Sequence, residues 1–251
     1  MRRKVVAGNW KMHTTPKSAV TLAKEIQARV SSLKSVDVIV CPPYVSLDRV
    51  CQSVAGTNVA VGAQDLHWED QGAFTGKISH DMLTELGVQY VIIGHSEQRS
   101  YFHETDETVN KKSIKALASS LLPIICVGET LSEREAGQIE AVISRQVKGA
   151  YAGISKADAA KTIIAYEPVW AIGTGKTASP QQAQEVHAFI RKLVAELYDT
   201  ELANGLRIQY GGSVKADNAA ELFGQADIDG GLIGGAALKV DDFVAIVEAA
   251  Q

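Results

Sequence analysis

The chain has 251 residues, 46% of them hydrophobic and 22% charged, with a formal net charge of −4. That length suits one large domain or two small ones, and the composition is that of an ordinary globular protein. A mildly acidic balance without a run of Lys and Arg argues against nucleic acid as a partner, and no apolar segment is long enough to span a membrane.

The basic start Met1-Arg2-Arg3-Lys4 leads into an apolar run too short for a secretory leader, so a cytoplasmic address is expected. Cys41, Cys51 and Cys126 are odd in number and scattered, with no Cys-x-x-Cys spacing. Neither a disulfide framework nor a zinc site follows from them, and reduced, mostly buried thiols are expected.

In chain order, the first β-branched run, Lys4–Trp10, predicts a buried strand ending on Asn9-Trp10-Lys11. Leu22, Ile26 and Val30 then recur with a helical period. Further strands are predicted at Val36–Cys41 and Asn58–Gln64, the latter followed by a long connection, Asp65–His80, that carries Trp68 and Phe74. The fourth, Gln89–Gly94, turns into Gly94-His95-Ser96-Glu97, and the fifth, Leu122–Val127, into Gly128-Glu129. The sixth, Thr162–Glu167, ends on Glu167-Pro168. After a loop of small residues comes a helix with Ser179 as N-cap, Pro180 at its first position and Gln182 closing a capping box; Val186, Ile190, Leu193 and Leu197 recur with the helical period. Strands at Leu206–Gly211 and Ile228–Gly234 finish in glycine clusters. Eight βα units over 1–251 predict a single (β/α)8 barrel of parallel strands. A doubly wound open sheet is the alternative, but its Gly-x-Gly-x-x-Gly fingerprint after the first strand is missing.

In such a barrel the catalytic groups project from the carboxyl ends of strands. Lys11 reads either as a solvated lysine or as a cation for an anionic substrate. His95, placed where a strand turns into a helix, would stay neutral and could donate to a carbonyl. Glu167 is either a rim charge or a general base whose pKa burial would raise. Three such groups converging on one mouth favour catalysis. Gly211-Gly212-Ser213 and Gly234-Gly235 suit phosphate binding by backbone N–H groups. Gly175-Lys176-Thr177 resembles the end of a nucleotide P-loop, but Trp170 stands where that motif needs its first glycine.

Over its full length the sequence resembles the triosephosphate isomerase family. The resemblance rests on Gly8-Asn9-Trp10-Lys11-Met12, Gly62-Ala63-Gln64, Gly72-Ala73-Phe74-Thr75-Gly76, Gly94-His95-Ser96-Glu97, Cys126-Val127-Gly128-Glu129, the stretch Ala165–Gly175, Tyr210-Gly211-Gly212-Ser213 and Gly234-Gly235. It implies interconversion of dihydroxyacetone phosphate and glyceraldehyde 3-phosphate without cofactor or metal. It implies Glu167 as base, His95 as a neutral imidazole acting on the carbonyl, Lys11 as the cation beside developing charge, Asn9 as a further hydrogen-bonding group and Glu97 as a second carboxylate. The base and the neutral imidazole are what the family is known for. Gly173, Ser213, Gly234 and Gly235 would donate to phosphate. Residues 168–170 and 176–178 would hinge a lid over the site. The loop around Thr75 would reach into a partner in a homodimer. Gln98 and His13 depart from the family's usual Arg and Asn, and both lie near that expected interface. A Schiff-base aldolase would need a lysine inside a strand instead, and a non-catalytic sugar-phosphate binder would need no carboxylate at 167.

Overall fold

A computed structural model describes residues 2–172 and 177–251. Among them, eight parallel strands close into a barrel in sequence order: β1 Lys4–Asn9, β2 Val36–Cys41, β3 Val59–Ala63, β4 Tyr90–Ile93, β5 Leu122–Val127, β6 Ile163–Tyr166, β7 Arg207–Tyr210 and β8 Gly230–Ile233. The ring shuts where β1 pairs with β8, Val5 against Gly230 and Gly8 against Ile233. Each predicted strand is present, most of them shorter by a residue or two at an end. The residues trimmed at the carboxyl ends, among them Gln64, Gly94, Glu167, Gly211 and Gly234, lie at the mouth, and those trimmed at the starts, such as Asn58, Gln89 and Thr162, lie at the opposite end.

Alternation along the strands divides the apolar residues into two layers. Val5, Ala7, Ile39, Ile92, Ile124, Cys126, Ile163, Ala165 and Leu232 fill the barrel interior. Val6, Val38, Val40, Val91, Ile93, Ile125, Ile164 and Ile233 face outward into the larger core shared with the helices. Because both faces are covered, the strands read as continuous apolar runs.

The helices start where their capping chemistry predicts. Pro16–Val30 buries Leu22, Ile26 and Val30 and opens with a capping box on Thr15. Pro180–Leu197 opens with the predicted box, Ser179 accepting from the Gln182 N–H, and it buries Val186, Ile190 and Leu193. The connection 65–79 has no regular structure but is well braced. The His67 N–H donates to the Ile78 carbonyl at 2.8 Å, and the Phe74 ring lies 4.5 Å from that of His67. No helix among the described residues is long and apolar enough to cross a membrane.

Candidate active site

Strand parity delivers two of the site residues directly. Val5 and Ala7 face the barrel interior, so Asn9, two further on, does too; Ile163 and Ala165 do the same for Glu167. Asn9 is 5% exposed and Glu167 only 2%.

Lys11 and His95 reach the mouth from beyond the strand ends, where the backbone turns to positive φ at Lys11 and at Gly94. Lys11 sits at φ +51°, a left-handed conformation that strains a long side chain by about 1–3 kcal/mol. The surroundings over-determine it. Its N–H donates to Asn9 Oδ1 at 3.0 Å and its carbonyl accepts from Gln64 Nε2 at 2.9 Å, and the same amide also donates to the Cys41 carbonyl. The ammonium then meets Glu97 Oε1 at 2.6 Å.

His95 is swung round by Gly94, at φ +76°. With β4 over at Ile93, side chains take over the hydrogen bonds of the Gly94 backbone: Glu104 Oε2 accepts from its N–H and Arg99 Nε donates to its carbonyl, both at 2.9 Å. His95 then caps the helix Ser96–Phe102, its Nδ1 accepting the Glu97 N–H at 3.1 Å. A nitrogen that accepts carries no proton, so the proton is assigned to Nε2, which lies 3.0 Å from Glu167 Oε1.

Glu167 is held on both oxygens. Ser96 N–H donates to Oε2 at 2.9 Å, and His95 Nε2 faces Oε1. This corrects the expectation of a raised pKa. Burial does push the carboxyl up, but His95 and the Ser96 N–H outweigh it and hold Glu167 below the ordinary glutamate value. For His95 two influences disagree. Burial lowers its pKa while contact with Glu167 more than offsets that. The Glu97 N–H on Nδ1 decides the matter, because an imidazolium would turn a second N–H against it. The pair is therefore carboxylate and neutral imidazole.

The glycines divide by role. A Cβ on Gly211 would stand 2.8 Å from Glu167 Cγ, and one on Gly212 would stand 2.3 Å from the Tyr210 hydroxyl oxygen, so close packing requires both. Gly235 has open space where a Cβ would be and starts the short 3-10 helix Gly235–Leu238 with Gly234 as N-cap, so its first N–H groups lack intrahelical partners. Ser213, Gly234 and Gly235 line the mouth together with Asn9, Lys11, His95, Glu97 and Glu167, in a cavity of about 930 Å³. His13 lines it as well, while Thr75 is exposed on the braced connection and is not among the lining residues. Gly173, and with it the tip of the expected lid, lies outside the described residues.

Three contributors had no role in the sequence reading. Ser96 supplies the N–H that retains Glu167, Gln64 ties down Lys11, and Glu129, fully buried, gathers Tyr166 Oη, Trp170 Nε1 and Arg134 Nη1 on one oxygen. A carboxylate or amide following a strand end was the available signal. Cys126 is buried behind Glu167, and burial with that neighbouring charge pushes its thiol pKa well up, so it is inert. Among the described residues no group of three or more His, Cys, Asp and Glu side chains is placed to hold a metal.

Known proteins resemble this chain throughout. The family model described as triosephosphate isomerase matches residues 4–250. Triosephosphate isomerase of Chlorobium phaeovibrioides is 56% identical over 251 residues, covering all of both chains. That of Moorella thermoacetica is 54% identical over 98% of each chain. That of Alkaliphilus oremlandii is 51% identical over 98% of this chain and 99% of its own.

Proposed function

This chain belongs to the triosephosphate isomerase family, and we propose how its own residues divide the work. The reaction interconverts dihydroxyacetone phosphate and D-glyceraldehyde 3-phosphate, an aldose–ketose isomerisation of glycolysis and gluconeogenesis. A proton leaves one carbon, an enediolate forms, and a proton returns to the neighbouring carbon.

Glu167 is the base. The observation that carries this reading is its contact with His95: a carboxylate 2% exposed, aimed at a neutral imidazole whose one proton points back at it. Substrate competes for both groups. When the carbonyl oxygen takes the His95 Nε2–H, Glu167 loses that donor, and to reach carbon it must leave the Ser96 N–H as well. Among walls that include Ile172 and Leu232, the freed carboxylate becomes a stronger base. Binding and activation are thus one exchange of partners.

Lys11 and His95 stabilise the enediolate oxygens, and His95 carries protons between them. Losing one such donor costs about 2.7–4 kcal/mol in typical sites. Glu97 holds the Lys11 ammonium in place, and Asn9 fixes the Lys11 backbone. Ser213, Gly234 and Gly235 donate N–H groups to the phosphate, joined by Gly173 from the lid, whose closure excludes water from the enediolate. Neither cofactor nor metal enters the scheme, and the enzyme works in the cytoplasm as a single domain per chain.

The active form is a homodimer. Among the described residues, the five large apolar side chains of greatest exposure are Met12, Val45, Tyr101, Phe102 and Met82. All lie on the connections that follow β1 to β4, one side of the mouth, beside the loop carrying Thr75. Light scattering at micromolar protein is expected to give twice the chain mass; full activity at the monomer mass rules the dimer out.

The base assignment is tested by a coupled isomerase assay on Glu167→Asp. Shortening the side chain misplaces the carboxylate, so kcat is expected to fall by about 10²-fold with KM nearly kept. Equal turnover in both proteins removes Glu167 from the mechanism.

A further inference from the structure

The helix Ile139–Tyr151 buries a stripe of Val142, Ile143, Val147 and Ala150, and in the middle of that stripe stands Gln146, 4% exposed. A primary amide on an apolar stripe is costly unless both its ends find partners. Both find the same residue. Gln146 Oε1 accepts the Gly128 N–H at 2.7 Å, and Gln146 Nε2 donates to the Gly128 carbonyl at 3.1 Å.

Gly128 is the first residue past the end of β5, where the ladder stops. Its other side lies flat against the backbone of Glu167. A Cβ there would stand 1.7 Å from the Glu167 carbonyl oxygen, and the preceding carbonyl, that of Val127, accepts the Glu167 N–H at 2.7 Å. The Gly128 peptide is therefore clamped from outside by one side chain and abuts Glu167 on the inside. Gly94 beside His95 is gripped on both backbone groups in the same way.

We propose that Gln146 is a positioning residue for the base: by fixing both hydrogen bonds of Gly128 it sets where the Glu167 backbone sits, and so where its carboxylate can reach. The proposal rests on Glu167 being the base. It follows from the clamp's geometry that losing the amide leaves a buried N–H and C=O unpaired and frees Gly128 to shift. A misplacement of 1 Å at the reacting group costs about 10²-fold in rate. The phosphate donors Ser213, Gly234 and Gly235 follow β7 and β8, and both hydrogen bonds of the Gln146 amide go to Gly128 rather than to any of them, so phosphate binding is expected to change little.

The test is Gln146→Leu, which keeps the bulk and removes both hydrogen bonds, assayed alone and combined with Glu167→Asp. Alone, it should lower kcat by about 10- to 100-fold with KM changed less than about threefold. Combined with Glu167→Asp, whose carboxylate is already out of place, its effect should shrink to less than about threefold, because the two act through one geometry. Wild-type kcat in Gln146→Leu, or the same fold-loss in both backgrounds, overturns the proposal. If Gln146→Leu does not fold, Gln146→Glu is read by the same two numbers; it keeps the acceptor for the Gly128 N–H, loses the donor, and should show a smaller loss with the same coupling. Wild-type turnover in Glu167→Asp would instead sink the base assignment, so the two failures are told apart.

Discussion

The two ends of the barrel use the same chemistry, cations beside carboxylates, to opposite purposes. At the amino-terminal end Asp229, 2% exposed, accepts from Arg2 Nε at 2.7 Å, Arg191 Nη2 at 2.8 Å and the Ile208 N–H at 2.9 Å. Arg191 in turn donates to Asp227 and to the carbonyls of Ala203 and Leu206. At the mouth, Glu167 has the Ser96 N–H, a long contact at 3.4 Å from the Ser96 hydroxyl and one neutral imidazole, and Lys11 has one carboxylate. A charge with several fixed partners is structural. A charge whose partner a substrate can replace is reactive. What separates the ends is the number of immovable partners rather than the residue types.

Predictions follow from breaking each end in turn. The largest effect is expected at the mouth: Glu167→Gln removes the proposed base and should lower kcat by about 10²–10⁴-fold, with the denaturation midpoint retained. A large loss of stability with unchanged kcat would erase the contrast between the ends. Next is Asp229→Ala, which takes a shared carboxylate from Arg2, Arg191 and the Ile208 N–H at once and should cost about 3–5 kcal/mol in urea unfolding while the folded enzyme keeps its kcat. An activity loss matching that of Glu167→Gln would mean the two ends are not separable.

The smallest effect sharpens the comparison with pH. His187 is fully buried beside Tyr166 and Tyr210, its ring centre 5.8 Å and 6.3 Å from theirs, and burial depresses its pKa from 6.5 to about 3. The unfolded chain therefore binds the extra proton first, and the stability of the neutral, buried form is lost as pH falls below 6.5 toward 3. At about 1.36 kcal/mol per unit, His187 alone removes about 2 kcal/mol between pH 6.5 and pH 5. His187→Phe should flatten the fall of the urea midpoint over that window; an unchanged slope would assign the acid sensitivity elsewhere.

How much of this was legible in the sequence depends on the kind of constraint. Period and capping gave the eight strands and the helix after Ser179, because burial on both faces and a Ser-Pro-x-Gln start leave local marks. Glu167 was legible as a carboxylate ending an apolar strand, and Asn9 through the family resemblance; the inward parity of their strands explains why both point into the site. Lys11 and His95 were found as residue types at strand ends, but their orientation comes from positive φ at Lys11 and Gly94, which side chains far away in sequence hold in place. The lowered pKa of Glu167 was not legible, since it depends on His95 and on the Ser96 N–H, which only the closed barrel brings beside it. Gln146 was hidden for the same reason: on a helix it looks like one polar break in an apolar stripe.

The central claim, that Glu167 itself removes the carbon-bound proton, is tested most directly by hydrogen exchange. Dihydroxyacetone phosphate is incubated in D₂O with wild type, Asp229→Ala or Glu167→Gln, and deuterium entering at C1 is followed by ¹H NMR. The expected result is exchange at comparable rates for wild type and folded Asp229→Ala, and a rate about 10²–10⁴-fold lower for Glu167→Gln. Exchange by Glu167→Gln at the wild-type rate would contradict the account.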